Sequence, residues 1–253
     1  MKKMIKWRNH FDFVVVVTSP TRTACVESLK IELDRVGLDV DLFQMGVPTA
    51  WEMRLAQFCR PGGMMYSHNK MRNSTIGHFL AIKTARALGK KRILILEDDV
   101  RFIKDLSLLR YMVDSIPDKV DVLHMDVIPT RGSEGCAEMF NRGDGAFRQP
   151  RWEICPDVRC HSFACVGFNP RGQEWVIGIE KMWTENGRLR PIDAILKPNW
   201  TRGGGVTKAI PVPLLARQVS VGNTVFNSRL HAAGCPFDGW YDSIGANRDK
   251  YGP

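Results

Sequence analysis

No stretch of this chain approaches the ~20 apolar residues needed to cross a bilayer; the run Phe13 to Val17 is followed at once by Thr18-Ser19-Pro20. The same run excludes a secretory leader as the first expectation. It follows a basic start, Met1-Lys2-Lys3-Met4-Ile5-Lys6-Trp7-Arg8, but it is shorter than a signal h-region and no small-residue cleavage site follows. Closely paired cysteines are missing too. The seven (Cys25, Cys59, Cys136, Cys155, Cys160, Cys165 and Cys235) are odd in number, and the group Cys155, Cys160, His161, Cys165 is spaced more widely than the C-x2-C pairs of zinc sites. The expectation is a cytoplasmic protein with mostly reduced thiols, for which peripheral contact with the inner face of a membrane stays open. Gly203-Gly204-Gly205 lacks the Lys-Ser/Thr that would make it a phosphate-binding P-loop. Internal repeats, low-complexity tracts and a clean linker are all absent, so residues 1–253 are expected to form a single domain.

What is present is an ordinary globular composition, 44% hydrophobic and 25% charged. It carries a formal charge of +9 and a pI of about 9.3. A basic surface attracts anions. Nucleotide diphosphates, nucleic acid and anionic headgroups all qualify, and charge alone does not choose among them.

The pattern along the chain is that of an α/β fold. Phe11–Thr18 reads as a strand buried on both faces. A helix is expected from about Thr23 to Val36, with Leu29, Leu33 and Val36 on one face and Gly37 as its stop. Leu38–Phe43 is a second strand, giving a β-α-β opening and hence a parallel sheet. Residues 46–72 read as a long loop. A helix follows over Ser74–Leu88, then a central strand Arg92–Leu96 that ends in Glu97-Asp98-Asp99. Further on, a helix is expected over Asp105–Ile116 and a strand over Val120–Met125. Residues 129–160 look irregular. Next come a strand Ser162–Phe168, a helix opened by Asn169-Pro170 and running to about Thr184, a short helix including Asp193–Leu196, and a turn-rich region after Pro198.

Three adjacent carboxylates beyond a buried strand are the most informative feature. In open α/β sheets, ligands bind beyond the carboxyl ends of the strands. Like charges repel, and charge beside a buried strand is costly without a partner. A divalent cation is a natural one, since hard ions take carboxylate and phosphate oxygens together. An N-cap or an exposed acidic turn is the structural alternative.

The segment Gly77-His78-Phe79-Leu80-Ala81, followed by Gly89-Lys90-Lys91-Arg92-Ile93-Leu94-Ile95-Leu96-Glu97-Asp98-Asp99-Val100, resembles glycosyltransferase family 25, which includes enzymes of lipopolysaccharide biosynthesis. The opening strand with Arg22 after it, Phe163–Asn169, Pro191-Ile192-Asp193, and Pro213 with Gln218 and Ser220 are similar to other patches of that family, in order along residues 12–220. Where the family usually carries Gly-Cys before its His, this chain carries Asn73-Ser74. The resemblance implies a GT-A-like, Rossmann-type fold: a mixed, mainly parallel sheet flanked by helices, with an irregular C-terminal region. Residues 1–100 would be the nucleotide-binding half, 101–221 the acceptor and catalytic half, and 222–253 an irregular tail. The implied function is metal-dependent transfer of a sugar, with inversion, from a nucleotide-sugar (UDP-sugar by default) to a hydroxyl of a glycan or lipid-linked saccharide.

That chemistry places a cation, Mn²⁺ or Mg²⁺, against the departing diphosphate. Asp99 is the leading metal ligand, with Glu97 and a late histidine, His231, as further candidates. Glu97 or Asp98 would orient the donor ribose or a metal-bound water. Thr18, Ser19, Arg22 and His78 are candidate donor contacts, and Asp193 is the candidate base for the acceptor hydroxyl. Each residue also has a structural reading: Thr18 and Ser19 as strand-end groups, Arg22 as a surface cation, His78 as a packed histidine, Asp193 as a helix N-terminal acid. Three alternatives stand beside the transferase acting on glycans. The acceptor could be nucleic acid with modified bases, served by Lys70, Arg72, Arg142, Arg148 and Arg151. The fold could be a nucleotide-binding module without turnover. The carboxylates could belong to a phosphohydrolase, with Asp126 and His124 as further ligands.

Overall fold

The structure, a computed structural model, describes residues 5–18, 22–45, 65–129, 150–154, 160–161, 163–185, 192, 205–219 and 250. Its centre is strand β1, Phe13–Thr18, buried at all six positions. Each of Val14 to Val17 is removed from water, and burying a valine stabilises by about 1.5 kcal/mol or more before chain entropy is set against it. Helix α1, Thr23–Val36, follows with the expected face, Leu29, Leu33 and Val36, in the core.

Gly37 ends α1 at φ +64°. Its N–H bonds Asp34 O, and Leu38 N–H bonds Leu33 O at 3.0 Å, a Schellman closure. That closure explains why strand β2 is Leu42–Met45 rather than Leu38–Phe43. Leu38 is used to seal the helix end, and Asp41 then ties the turn to β1, accepting from Val14 N at 2.7 Å and from Arg8.

Helix α2 spans Met65–Ala87, nine residues longer at its start than expected. The stretch 65–73 has no regular apolar period, but it also has no Gly or Pro, so nothing in it opposes helix. The buried stripe is Ile76, Phe79, Ile82 and Ala85, while Leu80 and Leu88 are exposed. α2 lies across β1 and β2 and against β3, Ile93–Glu97.

After β3 the chain turns at Asp98-Asp99 into a short strand β4, Val100–Phe102. Helix α3, Leu106–Asp114, is capped by Asp105, which accepts from Ser107 N and Leu108 N. Strands β5, Val122–His124, and β6, Ile128–Pro129, follow. Arg151–Ile154 (β7) and Cys160–His161 (β8) are strands within a region read as irregular, and β9 is Cys165–Phe168. Helix α4, Pro170–Glu185, starts as expected: Asn169 Oδ1 accepts from Gly172 N at 2.9 Å. The turn-rich reading after Pro198 missed β10, Lys208–Val212, and β11, Ala216–Gln218. Pro211 and Pro213 argue against a central strand, but β10 makes only two parallel partner pairs with β5 and puts Pro211 opposite Trp152 of β7.

Seven strands form one sheet in the order β2-β1-β3-β9-β5-β10-β7. β1, β2, β3, β5 and β10 run one way; β9 and β7 run the other. The result is a mixed, mainly parallel α/β sheet. β4 and β11 pair as a separate two-stranded ladder, as do β6 and β8. One continuous apolar cluster joins the sheet to the helices. Among the described residues no helix is long and apolar enough to cross a membrane.

Candidate functional site

β1 has β2 on one side and β3 on the other. The strand order therefore reverses between β1 and β3, and the crevice beyond their carboxyl ends is where open α/β sheets bind ligands. β1 ends there in Thr18, and β3 ends in Glu97, which lies in register with Val17. The Asp98-Asp99 turn follows directly.

Asp98 is the anchor of this corner, with 3% of its side chain exposed. Thr18 Oγ1 donates to its Oδ2. Arg22, at the start of α1, donates from Nε to Oδ2 at 2.9 Å and lies with Nη2 2.6 Å from Oδ1. The same Nη2 reaches Asp99 Oδ2 at 3.0 Å. One guanidinium thus faces two carboxylates. Burial disfavours the cation, but Asp99 and Asp98 outweigh that and raise its pKa above the ordinary value.

Asp99 is less satisfied. Its Oδ1 is buried and receives no hydrogen bond. Burial first, then the charge of Glu97, push its carboxyl up to about 7, with Arg22 pulling the other way. Its backbone carbonyl accepts from Val219 N at 2.8 Å, so the end of β11 holds the turn in place.

Glu97 is gripped from two sides. Ser74 Oγ, on α2, donates to Oε1 at 3.0 Å, and Gln218 Nε2, on β11, donates to Oε2 at 2.7 Å. Beneath them His78 is fully buried. Its Nδ1 donates to Ser74 O at 2.8 Å, and its Nε2 lies 3.3 Å from Phe163 O and 3.9 Å from Glu97 Oε1. Phe163 meets the rings of His78 and His124 edge-on. His78 therefore meets the crevice through Glu97.

Behind the turn, the buried Arg101 of β4 donates to Ser28 Oγ and to Val100 O. Burial lowers its pKa, against the attraction of Glu32 and Asp99. Buried Glu32 accepts from Phe102 N at 2.6 Å and from Arg35. These charges alternate in sign behind three carboxylates that would otherwise repel.

Of the residues singled out in the sequence, the structure gathers Thr18, Arg22, His78, Glu97, Asp98 and Asp99 into one corner. Ser19, Asp193 and His231 lie outside the described residues. Arg151 pairs locally with Glu153 at 2.5 Å, and buried Cys165 is part of the sheet. In the sequence Ser74 stands out only for its place before His78, and Gln218 only as part of a short patch. Their contacts with Glu97 had no signal in the sequence.

Among the described residues no group of three His, Cys, Asp or Glu side chains is arranged as a metal cage. The corner nevertheless suits a hard cation. Asp99 Oδ1 is an unsatisfied carboxylate oxygen, and ions such as Mg²⁺ bind through one or two carboxylates plus substrate phosphates rather than in all-protein cages. Compared with known proteins, the chain matches no family model, and no curated protein matches it.

Proposed function

We propose that this chain is a metal-dependent glycosyltransferase of GT-A type, taking a sugar from a nucleotide-sugar to a hydroxyl of a glycan or lipid-linked saccharide. The observation that carries the reading is the meeting of Thr18, Arg22 and Glu97-Asp98-Asp99 at the reversal of strand order between β1 and β3. The resemblance of Gly77–Val100 to family 25 and the mixed, mainly parallel sheet support it.

In this reading Asp98 is structural, saturated by Arg22 and Thr18 and fixing the corner. Glu97 faces the donor and accepts a ribose hydroxyl. Asp99 is the ligand for Mn²⁺ or Mg²⁺ through Oδ1, with His231 as a further candidate. The cation would supply neutralisation of the diphosphate leaving group. Arg22 adds positive charge at the same place. Asp193 is the proposed base that takes the acceptor proton as the new bond forms.

The test is calorimetric titration with UDP, GDP and CMP, each with Mn²⁺ and again with EDTA. Binding of one nucleotide in Mn²⁺ that is lost in EDTA is expected. No binding of any of the three in either condition would overturn the reading.

A further inference from the structure

Glu97 is fixed by two segments far from it in sequence. Ser74 lies 23 residues before it and Gln218 lies 121 residues after it. The terminal torsion of a glutamate is broad and close to two-fold, so an unheld carboxylate swings. Here each oxygen accepts from a separate neutral donor, and the two bonds together set the plane of the group.

We propose that Ser74 and Gln218 are positioning residues that hold the Glu97 carboxylate in the orientation that accepts a ribose hydroxyl of the donor nucleotide. This rests on the donor site described under Proposed function and adds to it the residues that make it selective. The chemistry of the clamp favours that use. A carboxylate has about four acceptor sites, so the bonds from Ser74 and Gln218 are compatible with accepting a further hydroxyl. Both donors are uncharged, so they orient Glu97 without cancelling its charge, and a hydrogen bond to a charged acceptor is about twice as strong as a neutral one. Asp98 is the contrast: the Arg22 cation covers both of its oxygens. Two neighbouring carboxylates are thereby divided into one that builds the corner and one that meets a ligand.

Gln218→Met keeps length and removes the donor; Ser74→Ala removes the hydroxyl and Ser74→Thr restores it. Affinity for UDP and for 2′,3′-dideoxy-UDP is measured in Mn²⁺ by calorimetry, with urea midpoints to confirm that each variant is folded. The expected result is about a tenfold loss of UDP affinity in Gln218→Met and Ser74→Ala, near-parental affinity in Ser74→Thr, and little change for the dideoxy nucleotide in any variant. Equal losses for both nucleotides would mean that the clamp only supports the fold, and unchanged UDP affinity would mean that it positions nothing; either overturns the proposal while leaving the transferase reading standing. A parental protein that binds none of UDP, GDP and CMP overturns the transferase reading and this proposal with it.

Discussion

Arg22 holds Asp98 by two points, Nε to Oδ2 at 2.9 Å and Nη2 to Oδ1 at 2.6 Å. This two-point contact joins the N-cap of α1 to the turn that follows β3. It places a cation where three successive carboxylates would otherwise make the corner electrostatically unfavourable, and Thr18 completes it from β1.

Asp98→Ala should therefore lower stability by about 2–3 kcal/mol. Breaking a fully buried pair costs about 3–5 kcal/mol; the smaller figure reflects Arg22, whose side chain keeps 29% exposure and can turn to water. Urea unfolding measures this, and a midpoint equal to the parent would show that the fork contributes nothing.

The Asp99 carboxyl, at about 7 against an ordinary 3.8, gives stability a defined pH dependence. The folded state holds a proton that the unfolded state has released, so this contribution is full below about 4 and is lost as pH rises through about 7. Asp99→Asn should flatten that slope between pH 4 and 7. A parental stability that rises with pH across the window through this group, or an unchanged slope in the variant, would contradict the assignment.

Asp99→Ala should abolish Mn²⁺-dependent nucleotide binding while the fold survives. Because a proton competes with the cation for the same carboxylate, parental binding should strengthen with pH until about 7 and change little above it. Calorimetry across pH separates the two proteins. Retained Mn²⁺-dependent affinity for UDP in the variant would remove Asp99 as a ligand.

Asp193→Asn should keep donor binding and lower transfer by about 10²–10⁴-fold, the usual contribution of a positioned base. Near-normal turnover would eliminate Asp193 from that role.

Gly172→Ala tests the packing at the end of the sheet opposite the site, where α4 follows β9 and β5 begins. A Cβ there would lie 2.1 Å from the backbone oxygen of Asp121, which no side-chain rotation relieves. A loss of about 1–3 kcal/mol is expected from overpacking, read from thermal or urea unfolding; a neutral result would mean that α4 does not approach β5 this closely.

Much of the central fold was legible because its signals are local. β1 is a continuous β-branched run, α1 carries its own stop at Gly37, and the carboxylates interrupt an apolar strand at Glu97. What escaped depends on distant partners or on sequence that tolerates two structures. Pro211 and Pro213 hid β10 and β11, which form because β5, β7 and β4 are there to pair with. The start of α2 has neutral propensity and no stripe. Of the candidate site, the acidic residues and Arg22 could be named in advance, but the bonds of Ser74 and Gln218 to Glu97 could not. They join positions 23 and 121 residues away, and no spacing rule on one chain reports such a meeting.

The pairing of β11 with β4, together with Val219 N on Asp99 O, also sets an order in time. A chain made from its first residue presents β1, α1 and the acidic turn early, with Thr18, Arg22 and Ser74 already made, while Glu97 Oε2 and the Asp99 carbonyl wait for Gln218 and Val219. Termination between the acidic turn and β11 yields a fragment that carries the three carboxylates without the strand that pairs with β4.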